Sequence, residues 1–152
     1  DKVWEGGYFH TGDVLRVSED GSFHFVDRRK NIIRRSGENI AAVEVENVLF
    51  QMSLVKNCAV TPVYDEMRGE EVGACIILND DEVANEDTAK KIFDFCSEKL
   101  VYYKVPAYFM FVPELPMTAS QKIQRGEIKK LSVQLIDKDD CIDLRDLKRK
   151  RK

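Results

Sequence analysis

VKNCAVTPVYDEMRGEEVGACIILN, residues 55–79, is the stretch that sets the fold class. Two runs rich in β-branched residues, 55–65 and 70–79, lie on either side of a polar segment, DEMRGE. β-branched side chains favour extended backbone, whereas a short polar segment with a glycine favours a turn. The stretch therefore predicts two strands joined by a turn.

Helical patterns lie on both sides of these strands. NEDTAKKIFDFCSEKL (85–100) places its apolar residues on one face, and Asn85 is a candidate N-cap. Upstream, apolar residues at 45, 48, 49 and 52 have helical spacing. Glu44 and Glu46 near the start of that helix suit the positive end of the helix dipole.

Shorter elements complete the pattern. Residues 14–26 form a predicted β-hairpin that turns at EDG (19–21), and Ile32 and Ile33 form a short strand before a turn at SGEN (36–39). A strand follows Pro106, and a polar loop leads to a helix that begins near Arg125. This order predicts an α+β or α/β domain in which helices cover a small mixed sheet preceded by a β-hairpin.

Composition narrows the class of protein. The 152 residues carry a formal net charge of −3, which argues against a general nucleic-acid-binding protein. The four cysteines form no C-x-x-C pair and no metal spacing, so we expect no metal site and a reducing, cytoplasmic location. RDLKRKRK (145–152) is strongly basic, and it is either an anion-binding patch or a solvated, frayed end; the second interpretation is favoured because no aromatic residues accompany it.

Three polar stretches contain candidate binding residues. In HTGD (10–13), the carboxylate of Asp13 can accept hydrogen bonds from a pair of hydroxyls, although an ordinary turn gives the same pattern. DRRKNIIRRSGEN (27–39) is either a solvated edge strand or an anion site. In TASQKIQR (118–125), Lys122 is either a solubilising residue or a mobile cation that reaches a phosphate or carboxylate.

Taken in order, YFHTGD (8–13), VDRRKNIIRRSGENIAAVEVE (26–46) and LPMTASQKIQR (115–125) resemble the C-terminal part of adenylate-forming acyl-CoA synthetases. That family includes acyl-CoA ligases, luciferases and the adenylation domains of peptide synthetases. The resemblance extends from about Trp4 to Leu135. It implies the family's C-terminal lid domain and an enzyme that activates a carboxylate with ATP and passes the acyl group to coenzyme A.

The resemblance also implies roles for residues of the nucleotide site. Asp13 would hold the ribose hydroxyls of ATP or AMP, and Arg28 would contact the ribose or a phosphate. Lys122 matches the catalytic lysine of adenylation. Relatives usually carry glycine before this lysine, whereas Gln121 stands here, so we expect a shifted loop.

Further roles follow from the same resemblance for the hinge and the thiol substrate. Lys30 matches the hinge about which the lid rotates between the two half-reactions. Ser36, Gly37 and Glu38 match the loop that reaches coenzyme A in the second conformation. Mg²⁺, as the counter-ion of ATP, would be bound mainly by a large N-terminal domain.

The resemblance divides the chain into three parts. Residues 1–29 match the end of the large N-terminal adenylation domain, 30–135 the lid, and 136–152 a basic tail. The expected partners are a carboxylic acid, ATP, coenzyme A and the missing N-terminal domain, and no nucleic acid or transmembrane segment is expected. We expect residues 1–152 alone to be inactive.

Two alternatives remain open at this point. A peptide-synthetase adenylation domain would transfer the acyl group to a carrier-protein thiol, but no carrier-like segment follows Leu135. A small α+β nucleic-acid-binding module would use the basic end of the chain. Within the first family, RRSGENIAAVEVE and PVYDEMRGEEVGACIIL resemble bacterial ligases for medium-chain or carnitine-related acids.

Overall fold

The computed structural model describes residues 4–151; residues 1–3 of the predicted first segment and residue 152 of the predicted tail lie outside them. Its strands are β1 Trp4–Glu5, β2 Tyr8–Phe9, β3 Asp13–Val17, β4 Phe23–Arg28, β5 Ile32–Arg35, β6 Glu38–Ala41, β7 Val55–Asp65, β8 Gly69–Leu78, β9 Tyr108–Phe111 and β10 Ile142–Asp143. Its α-helices are α1 Ala42–Leu49, α2 Glu86–Lys99, α3 Arg125–Asp137 and α4 Arg145–Lys150. The predicted strands at 55–65 and 70–79 are therefore β7 and β8.

A six-stranded mixed sheet organises the fold. Its strands lie in the order β10-β9-β8-β5-β6, and β7 pairs with β8. β8 and β9 run parallel, whereas the other pairs are antiparallel. Pro62 is accommodated in β7 because, within residues 4–151, that strand pairs only with β8, so the missing N–H of Pro62 does not interrupt a second ladder. The predicted α+β class with a small mixed sheet is confirmed.

Helices cover both faces of this sheet. α1 and α2 pack on one face through residues such as Val45 and Phe93, and Ile128 of α3 packs on the other. Successive residues of β8 point to opposite faces, so that Ala74 belongs to the first cluster and Cys75 to the second. A strand buried on both faces reads as a continuous apolar run, which explains the composition of residues 72–78.

Local signals placed most element boundaries correctly. The Asn85 side chain accepts a hydrogen bond of 2.9 Å from the backbone N–H of Thr88, which confirms the predicted N-cap of α2. The predicted turn at SGEN is too long. Only Ser36 and Gly37 form the turn, since both have positive φ (49° and 85°) and Glu38 already pairs with Arg35 in the β5–β6 ladder.

The prediction of a frayed, solvated end is wrong for residues 145–150. β10 pairs with β9, and α4 follows it. Lys148 of α4 is buried, with 2% of its surface exposed. A lysine can be buried in this way when the protein supplies hydrogen-bond acceptors for its ammonium. The acceptors of Lys148 are far away in the sequence, so the residues next to it give no sign of its burial.

Two antiparallel ribbons, β1–β2 and β3–β4, stand outside the six-stranded sheet. The second is the predicted hairpin, with Leu15 opposite Phe25 and Val17 opposite Phe23. Opposed residues of an antiparallel ladder share a face, so these four apolar side chains form one surface, and all four are exposed.

No helix within residues 4–151 is both long enough and apolar enough to cross a membrane.

Candidate functional site: a ribbon, a 3-10 turn and a lysine loop

Asp13 and Arg28 are brought together by the β3–β4 ribbon. They are partners in the ladder, and Arg28 Nε lies 3.9 Å from Asp13 Oδ1. Both side chains retain exposed surface, 62% for Arg28 and 32% for Asp13. The N–H of Asp13 donates to Thr11 Oγ1 at 3.3 Å, which holds the strand entrance. An exposed carboxylate beside a guanidinium can accept from hydroxyls while the guanidinium donates to a phosphate.

Lys30 lies in a 3-10 turn, Arg29–Asn31, between the ribbon and the sheet. The turn is held from the ribbon side, because the Arg29 N–H donates to the Gly12 carbonyl at 2.7 Å. Lys30 itself is exposed. The first residue of the turn is therefore anchored to the ribbon, and Lys30 faces solvent.

The same turn is also held by Asp27 of β4, a residue that the sequence did not single out. Its buried carboxylate accepts from the N–H of Arg28 at 2.7 Å, the amide of Asn31 at 2.9 Å and the N–H of Val43 at 3.4 Å. Val43 lies in the first turn of α1, where free N–H groups favour an anion. Asp27 therefore ties β4 to α1 across Lys30.

Ser36 and Gly37 form a tight turn at the end of the sheet. The Ser36 N–H donates to the Arg68 carbonyl at 2.9 Å, which fixes this turn against the neighbouring β7–β8 turn. All three predicted coenzyme A residues, Ser36, Gly37 and Glu38, are exposed.

Lys122 lies in a loop closed by its own hydrogen bonds. Met117 and Ile123 form an isolated antiparallel bridge, and the Thr118 N–H donates to the Lys122 carbonyl at 2.8 Å. In return, the Lys122 N–H donates to Thr118 Oγ1 at 3.1 Å. The side chain is exposed, and no hydrogen bond or ion pair within residues 4–151 engages its ammonium. The backbone is thus ordered while the cation is free.

Gln121 adopts the conformation that glycine usually supplies. Its φ is 60°, and its N–H donates to the Thr118 carbonyl at 2.9 Å, which closes the turn. A non-glycine residue can occupy this left-handed region at a cost of about 1–2 kcal/mol. The expected displacement of the loop by Gln121 thus remains a prediction, but the turn itself closes with glutamine in place.

Arg125 connects the Lys122 loop to the body of the domain. Its guanidinium forms a two-pronged ion pair with the Glu46 carboxylate, with Nη2 3.0 Å from Glu46 Oε2 and Nη1 bonded to Oε1. Nη1 also donates to the Val60 carbonyl at 3.3 Å. Although desolvation opposes its charge, hydrogen bonding to Glu46 raises the pKa of Arg125. Neither residue was a candidate from sequence, where Glu46 was interpreted only as suiting the helix dipole and Arg125 as the start of a helix.

A second buried network accounts for part of the basic run at 28–35. Arg35 Nε donates to Glu71 Oε2 at 2.8 Å, and Lys148 Nζ donates to Glu71 Oε1 at 2.5 Å. Lys148 also donates to the carbonyls of Tyr103 and Val105. Burial lowers the pKa of Lys148 to about 8, against the opposing influence of Glu71. Arg35 therefore stabilises the fold by pairing with a buried carboxylate, and it is not a candidate for anion binding.

The structure brings some candidates together and leaves others apart. Asp13 pairs with Arg28, and the turn residues Ser36 and Gly37 lead directly into Glu38, the first residue of β6. Among the hydrogen bonds and ion pairs of residues 4–151, none joins Lys122 to Asp13 or Arg28. The candidate residues therefore form four groups, the Asp13–Arg28 pair, Lys30, residues 36–38 and Lys122, and within the described residues no hydrogen bond or ion pair joins one group to another.

Comparison with known proteins identifies the family of these pieces. The family model for the AMP-binding enzyme C-terminal domain matches residues 44–122. The crotonobetaine/carnitine–CoA ligase of Escherichia coli is 38% identical over 129 residues, which is 84% of this chain and 24% of that enzyme. The chain thus belongs to the adenylate-forming acyl-CoA ligase family as its C-terminal domain, and it spans about a quarter of the length of such relatives.

Solved structures agree with this assignment. The o-succinylbenzoate CoA synthetase of Bacillus subtilis, in complex with its acyl-adenylate intermediate, superposes with a TM-score of 0.72 at 33% identity, covering 83% of this chain and 25% of that one. An anthranilate CoA ligase in complex with anthranoyl-AMP gives a TM-score of 0.72 at 34% identity, covering 85% and 26%. The lid fold predicted from sequence is confirmed.

Proposed function

We propose that this chain is the lid-bearing part of an ATP-dependent acyl-CoA synthetase. In the first half-reaction a carboxylate oxygen attacks the α-phosphorus of ATP, which gives the acyl-adenylate and releases pyrophosphate. In the second, the thiol of coenzyme A attacks the acyl carbonyl, the acyl–phosphate bond breaks, and AMP leaves. The thiol proton passes to solvent as the thioester forms.

The observation that carries this proposal is the state of Lys122. Its loop is closed on both sides of the lysine, yet the ammonium has no protein partner in the described part of the chain. As the carboxylate approaches ATP, negative charge accumulates on the phosphoryl and carboxylate oxygens. A cation brought between these oxygens stabilises the transition state electrostatically.

The other candidate residues receive complementary roles in this proposal. Asp13 would accept from the ribose hydroxyls, and Arg28 would donate to the ribose or a phosphate. Lys30 would be the pivot that withdraws Lys122 before the thiol reacts. Ser36, Gly37 and Glu38 would approach coenzyme A after that rotation.

The proposed domain division places residues 1–29 with the missing N-terminal domain and begins the lid at Lys30. The exposed apolar surface of Leu15, Val17, Phe23 and Phe25 supports this division, because such a surface is stable when another part of the protein covers it. α3 crosses the predicted boundary at 135/136, and β10 joins the sheet. We therefore extend the lid through α4 and no longer assign residues 136–150 to a separate tail.

The proposal also covers the Mg²⁺ of ATP, the thiol that accepts the acyl group and the acid that is activated. In this proposal the Mg²⁺ of ATP would be held mainly by the large N-terminal domain, as the family resemblance implies. Coenzyme A is preferred over a carrier protein because the relatives named above are CoA ligases. A carnitine-related acid is the first substrate to test, given the Escherichia coli relative.

The decisive experiment uses the full-length protein that contains these residues. Carboxylate-dependent ATP–pyrophosphate exchange would be measured over a panel of acids for the wild type, Lys122→Ala and Lys129→Ala. Lys129 is an exposed lysine of α3 and serves as the matched control. We expect exchange to fall more than about a hundredfold in Lys122→Ala alone, while a supplied acyl-adenylate still passes to coenzyme A.

Two other outcomes would contradict the proposal. Normal exchange in Lys122→Ala would show that the lysine is not catalytic. The absence of exchange with every acid would show that the protein is not a ligase of this kind. Residues 1–152 alone would be assayed in parallel. We expect no thioester formation from them, since the chain carries only part of the proposed nucleotide site.

A further inference from the structure

We propose that Arg125, held by Glu46 and Val60, is a positioning residue for Lys122. This inference rests on the proposed role of Lys122 in adenylation. Arg125 is the first residue of α3 and lies three positions after Lys122. It does not need to touch substrate, because its effect is transmitted through the short segment between the two residues.

The base of the loop is joined directly to α3. The Gln124 N–H donates to the Pro116 carbonyl at 3.0 Å, and Ile123 bridges Met117. The N–H groups of Glu127 and Ile128 both approach the Gln124 carbonyl at 3.0 Å. Any shift of the first turn of α3 therefore moves both sides of the loop that carries Lys122.

The first turn of α3 is held by charge. Glu46 is 6% exposed, and it accepts from the Val60 N–H at 2.9 Å as well as from Arg125. One carboxylate thus binds α1, β7 and α3 together. A lysine at 125 has a single charged nitrogen, so it cannot pair with both Glu46 oxygens in the planar, two-pronged manner of a guanidinium.

For Lys122, the exact position of the ammonium in the transition state matters more than its affinity for the substrate. A preorganised cation stabilises the transition state only where the charge develops, and a displacement of about 1 Å at a reacting centre can cost on the order of a hundredfold in rate. The Glu46–Arg125 pair therefore affects adenylation, the half-reaction that uses Lys122. It leaves thioester formation, from which the loop is withdrawn, almost unchanged.

The test compares half-reactions in the full-length protein. Arg125→Lys and Glu46→Gln are expected to lower the rate of ATP–pyrophosphate exchange by about 10- to 100-fold and to change thioester formation from supplied acyl-adenylate by less than about twofold. Arg145→Lys is the matched control, because Arg145 also joins a part-buried guanidinium to a carboxylate, Asp65, but lies on α4. We expect it to lower neither rate selectively.

A double variant separates positioning from a general structural role. If Arg125 acts through Lys122, Arg125→Lys adds no further loss of exchange to a Lys122→Ala background. An additional loss there, an equal fall in both half-reactions, or no effect of Arg125→Lys would overturn the inference. If Lys122→Ala itself exchanges normally, the proposed function fails first, so the two failures are distinguishable.

Hydrogen exchange gives a readout that does not depend on activity. The N–H groups of Lys122 and Gln124 are hydrogen-bonded within the loop, so their exchange reports its closure. We expect faster exchange at 118–124 in Arg125→Lys and Glu46→Gln and no change there in Arg145→Lys. Unchanged protection of the loop in both variants would also overturn the inference.

Discussion

The β3–β4 ribbon and the six-stranded sheet differ in the exposure of their phenylalanines and in how tightly their charged side chains are paired. In the ribbon, Phe23 and Phe25 are 71% and 62% exposed, and the ion pair of Asp13 and Arg28 is loose at 3.9 Å. In the sheet, Phe109 is fully buried, and Glu71 is held by two cations at 2.8 and 2.5 Å.

The difference separates charges that stabilise the fold from charges that are available for binding. A buried carboxylate must be fully paired, since an unpaired ion in the interior costs several kcal/mol. An exposed pair contributes little to stability, so its members can exchange partners with a ligand at small cost. By this criterion Asp13, Arg28 and Lys122 are candidates for function, whereas Arg35 and Lys148 are structural.

The largest test of this contrast is Glu71→Gln. The substitution leaves Arg35 and Lys148 buried without a carboxylate, so we expect the free energy of unfolding to fall by roughly 3–5 kcal/mol. Asp13→Asn, which breaks the exposed pair, should change it by less than about 0.5 kcal/mol. Urea denaturation followed by circular dichroism measures the free energy of unfolding of both variants. Equal losses in the two variants would contradict the distinction between structural and available charges.

We expect an effect of intermediate size on the pH dependence of stability, which is due to the buried thiol of Cys75. Burial raises the pKa of Cys75 from 9.0 to about 12. Its contribution to stability is therefore complete below pH 9, where the thiol is protonated in both states, and is lost as the pH rises towards 12. From pH 9 to about 10.5 we expect the wild type to lose about 2 kcal/mol relative to Cys75→Ala.

The pH test needs a partly exposed cysteine for comparison. Cys141 is only partly buried, so Cys141→Ala should flatten the same pH dependence less than Cys75→Ala does. Denaturation midpoints at two pH values suffice for all three proteins. Identical pH dependence in the wild type and Cys75→Ala would show that the core does not hold the thiol protonated.

The smallest predicted effect lies in the Lys122 loop. Gln121→Gly relieves a left-handed backbone at φ 60°, partly offset by the greater freedom of glycine in the unfolded chain, so we expect a gain of about 0.5–1 kcal/mol. Ser120→Gly, at a neighbouring position with ordinary φ, should instead destabilise. Thermal melts compare the two, and a loss of stability in Gln121→Gly would mean that the glutamine side chain contributes more than the strain it introduces.

Local features were predictable because their causes lie within a few residues. The cap at Asn85 satisfies an N–H three positions away, and the hairpin follows from alternation around a glycine turn. The α+β class and the family resemblance were confirmed for the same reason, since each motif is contiguous. The boundary at SGEN was less accurate, because pairing of Glu38 with Arg35 extended β6 into the predicted turn.

Patterns in the sequence were enough to predict which segments are extended or helical and which family they resemble, because periodicity and short motifs depend on neighbouring residues. Which charges are free depends on long-range packing and is visible only in the folded structure. Glu46 suited a helix dipole in the sequence, yet it binds Arg125, 79 positions away. Lys148 suited a frayed end, yet it binds Glu71, 77 positions away. Such pairs form because burial requires a partner for every charge, and the packing of the whole chain selects that partner.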